Sequence, residues 1–357
     1  WLKRIWAPAA VSQLHRSQTQ GSHARAGSPG GMAVVSLVVG DRVSSDEGAL
    51  VLENMLGRGA FGEVWKCRDI AKDVPRAVKI VRSQDAGSVA DEIVKHRRAF
   101  DSVTAPDRDR ARENHVPKFF FSAHGALEDA NGECKGQVFG IVMQYIDGGS
   151  LAHALSTHGP MQYWMADFVM QDMVYALCRL GEAGIIHRDV KSANILINKR
   201  GECYLADFGT ATFMEDIVEG HPMDVVGTPM YMAPEIVRSV PTKYDDRVDT
   251  WALGIVAYEV MLGRTPFQML GVADHQELVF KELRCRDDME DLIVPYMGDG
   301  RNGGEVAERW GNFYNFIKAC LKICPWNRPS AQDFFDQGKF SMIHTPLRPK
   351  LGALFDE

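Results

Sequence analysis

No stretch of this 357-residue chain stays apolar for the roughly 18 residues that a membrane span needs. The run at 33–39 is short, and Glu259 interrupts the one that follows Trp251. Clustered cysteine is lacking too. The seven residues Cys67, Cys134, Cys178, Cys203, Cys285, Cys320 and Cys324 are odd in number, and no close pair repeats. That argues against a disulfide framework and fits reduced thiols in a cytoplasmic or nuclear setting. Cys320 and Cys324 could share a helix face, but no second ligand pair accompanies them, which argues against zinc. Positive charge is in deficit, at a net −7, so no general basic surface for nucleic acid is expected.

Acids are absent from residues 1–31, which carry Lys3, Arg4, Arg16 and Arg25 among Ser and Gln. Two readings of that segment stay open, a disordered extension and a transit peptide. The first residue is Trp, which leaves a fragment and a natural start at Met32 as alternatives. What is present is ordinary for a soluble globular protein: 45% hydrophobic and 24% charged residues. The length suffices for a two-lobed domain with tails.

Short β-rich runs bounded by Gly or Asp predict five strands, at 50–56, 63–68, 76–81, 118–123 and 138–145. Helical spacing over 88–100 places Val89, Ile93 and Val94 on one side and ends on basic residues. Residues 101–112 are densely charged and read as a solvated loop insertion. After Gly148 and Gly149 the texture turns helical, with helices predicted at 161–183, 246–262, 313–321 and 330–335. Residues 297–304 are Gly-rich and read as a flexible insertion. The expected fold class is α+β and bilobal. A small five-stranded β lobe with one helix (46–146) precedes a larger, mainly α-helical lobe (147–338). An extension (1–45) and a tail (339–357) flank them. No internal repeat is visible.

The chemistry concentrates at His187-Arg188-Asp189-Val190-Lys191-Ser192-Ala193-Asn194, with Asp207-Phe208-Gly209 following. One acid can position a hydroxyl nucleophile, and the other can hold a metal on a nucleotide. Upstream, Gly57-Arg58-Gly59-Ala60-Phe61-Gly62-Glu63-Val64 lies between two predicted strands, where missing Cβ atoms let backbone N–H groups approach phosphates. A tight hairpin explains that run equally well, and a following strand argues against a dinucleotide fold. Ala77-Val78-Lys79 puts a Lys on a buried strand, which needs an anionic partner.

Together with Ala233-Pro234-Glu235, Asp249-Thr250-Trp251 and Arg328-Pro329, these motifs make the chain resemble the eukaryotic protein kinase family of serine/threonine type, from about residue 50 to 335. The resemblance implies ATP and magnesium and protein substrates with Ser or Thr acceptors. It implies that Asp189 orients the acceptor hydroxyl, that Lys191 neutralises the migrating phosphoryl group, and that Asn194 and Asp207 hold the metal. Lys79 is expected to pair with Glu92 on the helix, in preference to Asp91, although the spacing of 13 is short for the family. Leu56, Gly57, Gly59, Gly62, Val64, Ala77 and Leu196 are expected around the nucleotide. Met143 is the expected gatekeeper, and the Gln144 carbonyl and Ile146 N–H are the expected partners of adenine. Glu235 with Arg328, and Asp249, are expected as structural supports. Arg188 is expected to link the catalytic loop to the activation segment.

Lys191 and Gly227-Thr228-Pro229 resemble serine/threonine rather than tyrosine kinases, and Thr228 is expected to touch Asp189 and Lys191. Thr210, after Asp-Phe-Gly, hints at threonine acceptors. Ser150 and Ala193 stand where Arg-directed kinases place acids, so no strong demand for Arg upstream of the acceptor is expected. Between Thr212 and Thr228 there is no Ser, Thr or Tyr. Asp224 stands where many relatives are phosphorylated, and its pairing with Arg188 is expected to order the loop without phosphate. A catalytically silent scaffold is the alternative reading. Sub-family (Ste20-like, NIMA-related or Aurora-type), oligomeric state and substrate are not written in these residues.

Overall fold

The computed structural model describes residues 36–59, 62–81, 86–103, 115–218, 225–238, 244–273, 275–289, 305–337 and 348–355. The small lobe runs β1 (Arg42–Ser45), β2 (Gly48–Gly59), β3 (Gly62–Asp69), β4 (Val74–Val81), α1 (Ala86–Val103), β5 (Phe119–Glu128) and β6 (Cys134–Gln144). The strands lie antiparallel in the order β1-β2-β3-β4-β6-β5, and β1 pairs again with β5 to close a barrel. Period-two burial drives this lobe. Leu50 and Leu52 are buried, as are Val43, Val78, Leu127 and Val142, while Val51 between the two leucines and Glu53 after them are more exposed.

Six strands form the barrel, not the expected five. Arg42-Val43-Ser44-Ser45 offers one apolar side chain, too little for a pattern. Pairing on both sides supplies what the sequence does not: Arg42 stands opposite Val51 of β2 and Glu128 of β5. The expected lobe boundary at 46 therefore falls inside the first hairpin. Closure also removes the exposed edges that an open sheet would present.

The large lobe follows with β7 (Gly149–Ser150), α2 (Leu151–His158), α3 (Tyr163–Glu182), β8 (Ile185–Ile186), β9 (Ile195–Ile197), β10 (Cys203–Leu205) and β11 (Thr212–Phe213). Then come α4 (Pro234–Val237), α5 (Arg247–Leu262), α6 (Pro266–Met269), α7 (Gln276–Cys285), α8 (Glu305–Cys320), α9 (Ala331–Asp336) and α10 (Arg348–Gly352). Helix α5 is apolar on every face, with Val248, Trp251, Leu253, Ile255, Val256, Tyr258 and Val260 all buried. Such a helix can only be a core rod, and α3 and α8 pack on it. The two-lobed α+β arrangement is as expected. Helix α1 runs on to Val103, so 101–103 of the expected 101–112 insertion are helical, and residues 104–112 and 297–304 lie outside the described residues. Among the described residues no helix is long and apolar enough to cross a membrane.

Arg328 locks the lobe's lower half. Its guanidinium is fully buried and donates to both Glu235 carboxylate oxygens, at 2.7 and 3.1 Å. It also donates to the carbonyls of Lys322 and Arg247 and lies over the Trp251 ring. Removing one partner strands the other charge in a low-dielectric interior. Glu235→Ala is therefore expected to cost about 3–5 kcal/mol in urea unfolding. A loss below about 1 kcal/mol, the range of exposed pairs, would show that solvent reaches this pair.

Candidate active site

The site begins with a buried carboxylate. Asp249, in the first turn of α5, accepts the His187 backbone N–H at 2.7 Å and the Arg188 N–H at 2.8 Å, one on each oxygen. Burial pushes its pKa up to about 7, against the pull of these two donors. This grip holds Arg188 at φ 64°, a left-handed backbone that costs a non-glycine residue about 1–3 kcal/mol. The Arg188 side chain then reaches Thr210, donating to its carbonyl at 2.6 Å, and the Tyr244 hydroxyl at 3.4 Å. Arg188 thus ties the loop to the segment after Asp-Phe-Gly. Asp224, the other expected partner, lies outside the described residues.

The next residue, Asp189, is buried and surrounded by donors. Thr228 donates to Oδ1 at 2.8 Å. Lys191 and Asn194 donate to Oδ2 at 2.7 and 3.0 Å. Lys191 also donates to the Thr228 hydroxyl at 2.7 Å, which closes a triangle. A carboxylate offers about four lone-pair positions. Oδ1, with one donor, is the less occupied oxygen and the one able to take a proton from an incoming hydroxyl.

The second cluster joins the lobes. Lys79 on β4 donates to Glu92 of α1 at 2.7 and 2.9 Å and to Asp207 at 2.7 Å. Asp91 is exposed, so the structure brings Glu92 and not Asp91 to this Lys. Burial alone would lower the Lys79 pKa. Asp207 and Glu92 outweigh it and hold the ammonium above its ordinary value. Burial raises Glu92 more than Lys79 lowers it. Asp207 is partly open to solvent, with a side chain 43% exposed. For it the attraction of Lys79 overcomes burial, and its pKa falls. Asp207 also holds a left-handed backbone, φ 68°, so both acidic motifs carry a strained residue.

The other residues expected at the nucleotide fall on β2, β3, β4, β6, β9 and the lobe connection. Gly57 and Gly59 end β2, and Gly62 opens β3. Gly62 has φ 153°, and a Cβ there would sit 2.2 Å from the Ile80 carbonyl oxygen, so the hairpin requires glycine. Leu56 is exposed on β2, and Val64 stands in register with Lys79. Ala77 pairs with Met143 across β4 and β6. Gln144 spends its N–H on the Lys118 carbonyl at 2.8 Å, and Ile146 is buried in the connection to the large lobe. Leu196 in β9 is partly buried opposite Ser150.

For a metal, the donor set is one carboxylate and one amide. Asn194 commits its amide nitrogen to Asp189, which leaves the amide oxygen as its ligand atom. Among the described residues no three His, Cys, Asp or Glu side chains gather into a ligand cage. Two oxygens without a cage suit magnesium, which takes few protein ligands and completes its shell with phosphates and water.

One functional neighbour is not evident from the motifs. His96, four residues after Glu92 on the same helical face, stacks on Phe208 at 5.0 Å and 20°. Its Nε2 donates to the Pro117 carbonyl at 2.7 Å. His187 meets the same ring edge-on at 5.1 Å. Phe208 is therefore held between two buried imidazoles, one from each lobe. The Glu92-to-His96 spacing of four shows only that His96 shares the helical face of Glu92.

A family model for the protein kinase domain matches residues 50–339. The chain is similar to the serine/threonine-protein kinase ppk11 of Schizosaccharomyces pombe, 32% identical over 82% of this chain and 81% of that protein. It is also similar to the serine/threonine-protein kinase BCK1/SLK1/SSP31 of Saccharomyces cerevisiae, 27% identical over 78% of this chain and 17% of that protein. The serine/threonine-protein kinase dst1 of Dictyostelium discoideum is 28% identical over 83% of this chain and 35% of its own length. The chain thus spans most of the first of these and only a minor part of the other two.

The buried imidazoles carry a pH signature. Burial lowers the His96 pKa to about 4 and lowers His187 as well. The unfolded chain takes up a proton on His96 near its ordinary 6.5, while the folded protein refuses it until about 4. Stability is therefore fully present above that ordinary value and falls as the pH drops across this window. His96→Leu is expected to reduce the slope of unfolding free energy between pH 6.5 and 4 by up to ~1.4 kcal/mol per pH unit. Urea unfolding at a series of pH values reads it, and an unchanged slope would show that His96 titrates normally in the fold.

Proposed function

The chain belongs to the protein kinase domain family, and on that premise we propose that it transfers the γ-phosphoryl group of ATP to Ser or Thr hydroxyls of protein substrates. The observation that carries this reading is the pairing of two differently held acids. Asp189 is fixed by Thr228, Lys191 and Asn194, and Asp207 is fixed by Lys79. The acceptor hydroxyl oxygen attacks the γ-phosphorus, its proton passes to Asp189 Oδ1, and the bond from the γ-phosphorus to the β–γ bridging oxygen breaks to release ADP. Lys191 neutralises charge on the group in transit.

Lys79, oriented by Glu92, holds the α- and β-phosphates. Backbone N–H groups around Gly57, Gly59 and Gly62 cover the phosphates from above. Leu56, Val64, Ala77 and Leu196 enclose adenine, Met143 closes the rear, and the Gln144 carbonyl and Ile146 N–H read its edge. Asn194 and Asp207 would hold magnesium, which would neutralise phosphate charge when bound.

Acceptor preference follows from what the nearby acids already do. Glu259 accepts from Ser192 at 3.0 Å and from Tyr231 at 2.7 Å, and Ser150 spends its hydroxyl on capping α2. Ser150 supplies no carboxylate there, and Glu259 already holds two hydroxyl donors, which supports a weak demand for Arg upstream of the acceptor. Lys191 bridging Asp189 and Thr228 supports Ser/Thr over Tyr acceptors.

A peptide array with Mg-ATP, run on wild type and Asp189→Asn, tests the reading. The wild type is expected to label Ser- and Thr-containing peptides with no requirement for upstream Arg. The variant is expected to lose at least about 100-fold in kcat. Equal signal from both proteins would point to a contaminating activity and to a silent scaffold.

A further inference from the structure

Residues 348–355 lie beyond the 50–339 span of the family match, yet they pack into the large lobe. Leu351 is fully buried. Gly352 approaches the β9–β10 turn so closely that a Cβ would stand 2.1 Å from the Lys199 carbonyl oxygen. The chain then makes one 3-10 turn, Ala353–Phe355, against α2. At the end of that helix His158 Nε2 donates to the Leu354 carbonyl at 3.0 Å. Near its start, His153 stacks on the Phe355 ring at 6.5 Å and 28°. The ring also lies against β7 and the glycine before it. A Cβ on Gly149 would stand 2.6 Å from Phe355 Cε1, and one on Gly148 would stand 3.2 Å from Cδ2. Only a surface without side chains accepts the ring there.

The strip under Phe355 continues directly from the segment that joins the lobes. Gly149 pairs with Ile197, and Ser150 with Leu196, the residue placed under adenine. Asp147 accepts the Lys199 N–H at 3.0 Å, on the same turn that Gly352 touches. Ser150 caps α2 through the His153 N–H. Phe355 therefore touches a strand that pairs edge to edge with β9, the strand that carries Leu196.

We propose that the 351–355 segment is an intramolecular clasp on the exit of the lobe connection, and that Phe355 is a positioning residue for nucleotide binding. The clasp restrains Gly148 and Gly149, and through them the register of Gln144 and Ile146 against Leu196. Its contact with β7 stands on geometry alone, while its effect on nucleotide rests on the proposed function. It predicts an influence on ATP affinity from a residue that reaches no part of ATP.

The test uses the full chain carrying Phe355→Ala, Phe355→Leu, Gly149→Ala, or Gly149→Ala with Phe355→Ala. Hydrogen exchange over 145–150 reads the contact. Titration with a fluorescent ATP analogue, and KM for ATP against kcat, read its consequence. Phe355→Ala is expected to speed exchange at 145–150 about tenfold. It is expected to raise KM for ATP about three- to tenfold, with kcat at saturating ATP within about twofold of wild type. Phe355→Leu should recover most of both. Gly149→Ala should produce the same shift alone and add little in the Phe355→Ala background, because the ring it would strike is gone. Unchanged exchange in Phe355→Ala, or independent addition of the two substitutions, would overturn the clasp. Altered exchange with unaltered ATP affinity would overturn the positioning role. A wild type that binds no nucleotide would overturn the proposed function itself, and the exchange data would still decide the contact.

Discussion

A buried ammonium must be paired or it will shed its proton, and the pairing of Lys79 is what makes the two lobes one device. Its ammonium draws one carboxylate from α1 and another from the large lobe, all within 2.9 Å. Neither carboxylate would be stable so close to the other without that charge between them. Removing Lys79 would leave Glu92 buried beside Asp207 with nothing to hold them together. The position of α1, the orientation of Asp207 and the approach of the lobes therefore share a single electrostatic cause.

The surroundings read as supports for that arrangement. His96 stacks on Phe208 and His187 meets it edge-on, which keeps the residue after Asp207 in place. Asp249 holds the loop before Asp189, and Arg188 passes the same constraint to Thr210. Of the three non-glycine residues with left-handed backbones among the described residues, Asp73 lies in the β3–β4 turn, while Arg188 precedes one of the two acids and Asp207 is the other. Strain of that kind persists only where neighbours over-determine the geometry. Asp249's grip on the Arg188 N–H and the ammonium on Asp207 supply that determination.

How much of this was legible in sequence depended on the physical range of each signal. Strands 50–56 and 76–81 could be read because a short apolar, β-branched run between turn residues is a local property. β1 could not, because Arg42–Ser45 becomes a strand only by pairing with β2 and β5. The strands β7 to β11, two or three residues each, carry no period at all. At the site, the motifs pointed to Lys79, Asp189, Asn194 and Asp207, and helical geometry separated Glu92 from Asp91. The role of His96 was missed because a buried His on an amphipathic helix looks like any core residue until its Phe208 partner is known. The packing of 351–355 was invisible for a related reason: it depends on absent side chains at Gly148, Gly149 and Gly352, and a glycine's use cannot be told from its letter.

The most direct measurement is nucleotide affinity as a function of magnesium, by calorimetry, for wild type and for Asp207→Asn. If Lys79 and Asp207 form the two halves of a phosphate-and-metal site, magnesium should tighten ATP binding to the wild type, and Asp207→Asn should abolish most of that gain while magnesium-free binding survives. The same magnesium dependence in both proteins would contradict the assignment of Asp207 as the metal's carboxylate, and with it the place of the Lys79 cluster at the centre of the site.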